Sequence, residues 1–138
     1  MADLVLDSSV TLAWFLPDER RAGADVLLDR VTSGGALAPT LWPIEVGNAF
    51  LSAQRHRRLS QAERTQALGF LASLPIDIDP ATGKEAWTAS LGLAEQHGLT
   101  LYDAVYLELA IRQNLPLASL DRQLLRAATA AGIAVLGG

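Results

Sequence analysis

The chain has 138 residues, half of them hydrophobic, with no cysteine and a formal net charge of −4. That is the length of one ordinary domain with apolar material for a single core; disulfides, thiolate metal sites and cysteine nucleophiles are excluded. An acidic balance argues against a generic nucleic-acid coat, which needs excess Lys and Arg to displace phosphate counterions.

In chain order, residues 3–7 ("DLVLD") read as a strand, 18–31 as a helix, 36–39 as a strand, and 43–57 and 61–74 as helices. A strand at 76–78, helices at 82–97 and 101–113, a strand at 116–120, a helix at 122–131 and a strand at 133–136 follow. Gly34, Gly98 and Gly132 stand at helix ends, and Ser60 with Glu63 has the spacing of a capping box. The alternation predicts an α/β fold, a parallel sheet of about five strands with helices on both faces. No repeat, linker or low-complexity tract divides it, so residues 1–138 are expected to form one domain. No stretch has the ~18 apolar residues of a membrane span, and no secretory pattern opens the chain, which predicts a cytoplasmic location without membrane contact.

In open sheets of this kind ligands bind beyond the carboxyl ends of the strands, and four acids fall there. Asp7 ends the first strand, and Asp121 follows the fourth; either is also a plausible helix N-cap. Glu45 sits two residues after Pro43, in what reads as a first turn, where the helix dipole favours an acid. Asp103 interrupts the apolar run "LTLYDAVYLELA", and Thr100 three residues earlier offers a capping-box variant. Glu108 and Arg112, spaced i,i+4, are expected to pair on a solvent-facing stripe. Asp103 lies ~140° away from Glu108 around the helix axis, off that stripe.

If the four acids converge, their charges need compensation, because two carboxylates about 5 Å apart repel by roughly 3 kcal/mol at an effective dielectric of ~20. Either some stay protonated or a cation joins them. Oxygen-only ligands suit Mg²⁺ or Mn²⁺, and a hydrated divalent ion among acids suits phosphoryl chemistry. Setting those four aside, the remaining eleven acids balance eleven Lys and Arg, so a local basic patch could still grip a phosphate chain. Asn48, on the same helix face as Glu45, and Ser9 and Ser119, each two residues from an aspartate, are accessory polar candidates; local capping or simple exposure explains them equally well. In "QRHRRLS", Arg55, Arg57 and Arg58 are candidates for gripping a phosphate chain, against a reading as cations complementing a helix end. His97 reads as a helix C-terminal cation with no catalytic role.

The segments "LVLDSSVTLAWFL", "PTLWPIEVGNAF", "GLTLYDAVYLELA" and "LPLASLDRQLLRAATAAGIAVL" together resemble PIN-domain proteins, and more closely the VapC-type toxin ribonucleases of toxin-antitoxin pairs. The resemblance covers almost the whole chain. It implies a three-layer α/β/α fold and an Mg²⁺- or Mn²⁺-dependent endoribonuclease that cleaves tRNA or rRNA and inhibits translation. It also implies a homodimer neutralised by a cognate VapB-like antitoxin. The family's acidic quartet falls on Asp7, Glu45, Asp103 and Asp121, as catalytic and metal-binding residues, with Ser9, Asn48 and Ser119 as accessories. Ser119 stands where threonine is common, a departure that keeps the hydroxyl. Attack by an external water would leave 5′-phosphate and 3′-hydroxyl ends. Two other functions compete: a catalytically silent PIN scaffold or RNA-binding module in RNA processing, and a phosphatase using Asp7 as nucleophile. The second lacks an aspartate two residues on, since the run is "DSS".

Overall fold

The computed structural model describes residues 2–19 and 22–137. Five parallel strands form one sheet: β1 (Leu4–Leu6), β2 (Ala36–Pro39), β3 (Ile76–Asp79), β4 (Leu117–Ala118) and β5 (Val135–Leu136), in the order β3-β2-β1-β4-β5. All three residues of β1 are buried, as a strand covered on both faces requires. Val5 lies opposite Leu37 on one side and Leu117 on the other. The chain winds outward from β1 through β2 to β3, then returns to β4 beside β1 and continues to β5. Winding therefore reverses between β1 and β4, and a crevice is expected at their carboxyl ends. Asp7 follows β1 there, and Ser119 and Asp121 follow β4.

Helices α1 (Ser8–Ala13), α2 (Ala24–Gly34), α3 (Leu41–Arg55), α4 (Gln61–Ser73), α5 (Thr82–Glu85), α6 (Leu91–His97), α7 (Leu101–Gln113) and α8 (Arg122–Ala130) complete the α/β/α architecture. The central one is α7, buried without interruption from Ala104 to Ala110 and packed on β1, β2 and β4 beneath α6 and α8. Seven consecutive buried residues leave no solvated stripe in its middle turns, the pattern of a helix enclosed on all sides. Both buried tryptophans satisfy their indole N–H groups: Trp14 donates to the Ala24 carbonyl at 2.9 Å, and Trp42 to Thr11 Oγ1 at 3.1 Å. These bonds fasten α1 to the start of α2 and to α3.

All five strands lie at the expected places; the first is shorter than expected at three residues and the last two at two each, and β3 runs one residue further, to Asp79. The helices needed more correction. The run 18–31 is not one helix. A single 3₁₀ turn (Pro17–Glu19) precedes Gly23, whose φ of +91° interrupts helical geometry, and α2 starts after it; Arg20 and Arg21 lie outside the described residues. Helix α1 was not expected at all. Helix α3 begins two residues early, so Pro43 occupies its first turn, where a missing N–H costs little, and Glu45 stands one turn in. The 82–97 helix contains a π-helical stretch over Ala86–Ser90.

The i,i+4 pair on α7 forms, but not on a solvated stripe. Glu108 is buried, and the Arg112 guanidinium also reaches the buried Asp79 at the end of β3. Arg112 donates to Glu108 at 2.8 and 3.0 Å and to Asp79 at 2.7 and 3.1 Å, so one cation pins the sheet edge to the central helix.

Candidate active site

Asp7 occupies the N-cap position of α1, yet its side chain makes no capping bond. Instead Oδ2 accepts the hydroxyls of Ser9 at 2.6 Å and Ser119 at 2.8 Å. The same hydroxyls accept backbone N–H groups in turn: Leu120 donates to Ser9 Oγ at 2.9 Å and Asp121 to Ser119 Oγ at 3.0 Å. Two serines thus stitch the exits of β1 and β4 together through one carboxylate oxygen. Asp7 is buried, and burial pushes its carboxyl up; the two serine hydroxyls oppose this, and the charge of Asp121 adds to it.

Asp121 does act as a cap. Its Oδ1 accepts from Leu124 N at 3.0 Å at the head of α8, and the residue is otherwise exposed. Thr100 caps α7 by accepting from Asp103 N at 3.1 Å, which places the half-buried Asp103 in the first turn. Its carboxyl is pushed up to about 6, first by burial and then by the charges of Asp7, Asp121 and Glu45. Glu45 arrives from α3, half-buried, with Oε1 accepting the Tyr106 hydroxyl at 2.5 Å. Burial raises Glu45 too; the hydroxyl of Tyr106 and that of Ser8 oppose this, and the charge of Asp7 reinforces it. Tyr106 is fully buried, and burial with the charges of Asp7 and Glu45 holds its phenol protonated.

Four acids from four separate segments therefore act on one another. No arginine or lysine among the described residues forms an ion pair with any of them; the cations that pair do so with Asp18, Glu19, Asp79 and Glu108. Such a cluster lowers its energy by taking up protons or a cation. The donors are all oxygen, the chemistry of a hard divalent ion, and Mg²⁺ fits on that ground. Among the described residues, however, no three His, Asp or Glu side chains already stand as a set that could hold a metal ion. Ions of this type keep several waters, so direct contact with one or two carboxylates suffices.

The other candidates are placed differently. Asn48 is exposed and makes no hydrogen bond to the acids. Arg55 ends α3 ten residues beyond Glu45, ~15 Å along the helix. Arg57 is exposed, with a φ of +58°, and Arg58 is engaged by Asp18 and Glu19. Two participants were not singled out from sequence, Tyr106 and Ser8. Tyr106 falls three residues after Asp103, one turn on along the same face, and that spacing was the available signal.

Residues 4–130 match the PIN domain family. Ribonuclease VapC3 of Pyrobaculum aerophilum is 31% identical over 121 residues, which span 88% of this chain and 91% of the relative. The crystal structure of PAE2754, also from Pyrobaculum aerophilum, aligns with a TM-score of 0.68 at 26% identity, over 97% of this chain and 90% of that one.

Proposed function

The chain belongs to the PIN-domain family and is of the VapC type, and from that premise we propose that it is an Mg²⁺- or Mn²⁺-dependent endoribonuclease acting as the toxin of a toxin-antitoxin pair. The observation that carries this reading is the meeting of four acids without a basic partner, with Asp103 pushed up to about 6. Asp7, Asp103 and Asp121 would hold the ion, directly or through the waters it keeps, with Glu45 at its margin. When bound, such an ion supplies positive charge to a phosphodiester and makes water more acidic.

The chain's own groups do the rest. Ser9 and Ser119 fix Asp7 by donating to its Oδ2. Tyr106 orients Glu45, whose raised carboxyl suits it to accept a proton from the attacking water. The water oxygen bonds to phosphorus as its proton passes to Glu45, the bond to the 3′-oxygen breaks, and that oxygen takes up a proton from solvent and leaves as a hydroxyl, giving a 5′-phosphate on the other fragment. A tRNA or rRNA substrate, neutralisation by a VapB-like antitoxin and a homodimeric state belong to the same proposal; exposed Ile44, Leu68 and Phe70 offer apolar surface for protein partners. No helix among the described residues is long and apolar enough to cross a membrane.

The test is cleavage of end-labelled RNA in a titration of Mg²⁺ and Mn²⁺, with chemical analysis of the new ends. Metal-dependent cutting with 5′-phosphate products is the expected result; cutting that survives chelation, or cyclic phosphate ends, would overturn the mechanism. The alternative is a silent RNA-processing scaffold, against which the four intact acids count. No cleavage of any cellular RNA, by protein that binds RNA and is free of inhibitor, would establish that alternative.

A further inference from the structure

Ser119, fully buried just after β4, is held from two sides. Towards the acids, its hydroxyl donates to Asp7 Oδ2 at 2.8 Å and accepts from Asp121 N at 3.0 Å. On the side of β5, its N–H donates to the Leu136 carbonyl at 3.0 Å. The Ser119 carbonyl oxygen lies against the next residue, Gly137, so closely that a Cβ on that glycine would stand 2.5 Å from it and 3.4 Å from Leu120 Cδ2. Gly137 also has a φ of +92°, which residues with a side chain rarely adopt.

We infer that Gly137 is a positioning residue for the acid cluster: having no side chain, it lets the end of β5 close on the Ser119 carbonyl, and this contact sets the Ser119 hydroxyl at hydrogen-bonding distance from Asp7. The inference rests on the nuclease reading above and adds to it a residue that bears no functional group of its own. Any side chain at position 137 forces either β5 or the Ser119 peptide to give way, by about 0.9 Å to regain the 3.4 Å of an ordinary contact. The ladder offers little resistance, because β4 and β5 have two residues each, paired Leu117 to Val135 and Ala118 to Leu136. If β5 moves, the Leu136 carbonyl leaves Ser119 N; if Ser119 moves, a 2.8 Å bond to Asp7 stretched by that amount is no longer a hydrogen bond. Gly132 supplies the matched comparison, with a φ of +80° and nothing within 4 Å of where its Cβ would stand. Its replacement imposes the backbone strain without the collision.

The test compares Gly137→Ala with Gly132→Ala, after urea unfolding has established that both fold. Misplacing a catalytic group by about 1 Å costs on the order of a hundredfold in rate. In Mn²⁺-dependent cleavage of end-labelled RNA, Gly137→Ala is expected to lose about a hundredfold in kcat at unchanged KM, and Gly132→Ala to cut like the parent. Amide hydrogen exchange in EDTA reads the position directly. Leu120 and Asp121, whose N–H groups donate to the Ser9 and Ser119 hydroxyls, are expected to exchange faster in Gly137→Ala relative to the core amides of α7, and as in the parent in Gly132→Ala. In a Ser119→Ala background the Gly137 substitution should add little further loss of cleavage, because the bond it breaks is already gone. Gly137→Asn carries the same Cβ and tolerates a positive φ better, so it replaces Gly137→Ala, with the same expectations, if that variant does not fold. Parent-like exchange at Leu120 and Asp121 in a folded Gly137 variant, equal quickening in the Gly132 control, unimpaired cutting by the Gly137 variant, or losses that add in full to those of Ser119→Ala would overturn the inference. A parent that never cuts would count against the nuclease reading alone, because exchange still reports whether Gly137 positions Ser119.

Discussion

Replacing Asp103 by Asn separates the catalytic role proposed for this carboxylate from its effect on stability, because the shape is nearly unchanged and only the charge is lost. The Asp103 carboxyl moves from its ordinary 3.8 to about 6 in the folded protein. A displacement of that size would correspond to about 3 kcal/mol of unfavourable ionisation in a fully sheltered group. Asp103 is only half-buried, so solvent screening reduces the expected cost to about 1 kcal/mol. The sign follows from the raised value. Asp103 costs the fold nothing below pH 3.8, where it is protonated both folded and unfolded, and its penalty grows as the pH rises through about 6.

Metal-free Asp103→Asn is therefore expected to match the parent in urea unfolding near pH 4 and to exceed it by about 1 kcal/mol at pH 8. Relief of the charge felt by Asp7 and Glu45 acts in the same direction. Added Mn²⁺ should stabilise the parent at pH 8 and leave the variant almost unmoved, by linkage between binding and folding. Cleavage should be abolished. A variant less stable than the parent at pH 8, or one whose stability difference is the same at both pH values, would show that Asp103 does not bear the repulsion assigned to it. A variant that cuts as well as the parent would remove Asp103 from the reaction.

Three further outcomes follow from the contacts. Ser119→Ala removes a buried hydroxyl that donates to Asp7 and accepts from Asp121 N, and should cost about 1–2 kcal/mol in chemical unfolding and depress cleavage. Tyr106→Phe deletes the donor to Glu45; it is expected to slow cleavage at saturating RNA while RNA binding and, to within about 1 kcal/mol, stability persist. Arg112→Ala leaves the buried Asp79 and Glu108 without their shared cation and should cost about 3 kcal/mol, with a sharp fall in melting temperature.

The strands at the centre of the sheet, β1, β2 and β4, were legible because they are largely buried on both faces and appear in sequence as short continuous apolar runs, whereas β3 and β5 stand partly exposed at its edges. Two neighbouring segments resisted for physical reasons. "SSVTLA" makes a helix too brief for periodicity to register, with β-branched Val10 and Thr11 at its centre, and its order comes from contacts such as Trp42 on Thr11. Gly23 reads locally as one weak position inside a helix, although the chain turns there with a positive φ. At the site, the acids at strand exits and helix starts could be found from the rule for open parallel sheets, whereas the Tyr106–Glu45 bond joins residues 61 apart and leaves only the i,i+3 spacing as a trace. The pairing of Glu108 with Arg112 was legible from i,i+4 geometry. That both are clamped to Asp79 from β3 was not, because burial depends on which surface the sheet presents to α7.

The distribution of charge separates structure from function in this fold. Buried acids at one edge, Asp79 and Glu108, share a guanidinium, so their desolvation is compensated and the arrangement fixes α7 to the sheet. The acids at the β1–β4 crevice have hydroxyls and backbone amides but no cation paired with them among the described residues, and burial, followed by the charges of its neighbours, pushes Asp103 up to about 6. Both clusters use carboxylates on the same helix, Asp103 and Glu108, five residues apart, so general features of the interior do not account for the difference. An arginine at the crevice would relieve the repulsion among the acids. Its absence leaves a site whose electrostatic energy falls when a positive charge arrives from outside, and that is the property a metal-dependent phosphodiesterase requires before its substrate can approach.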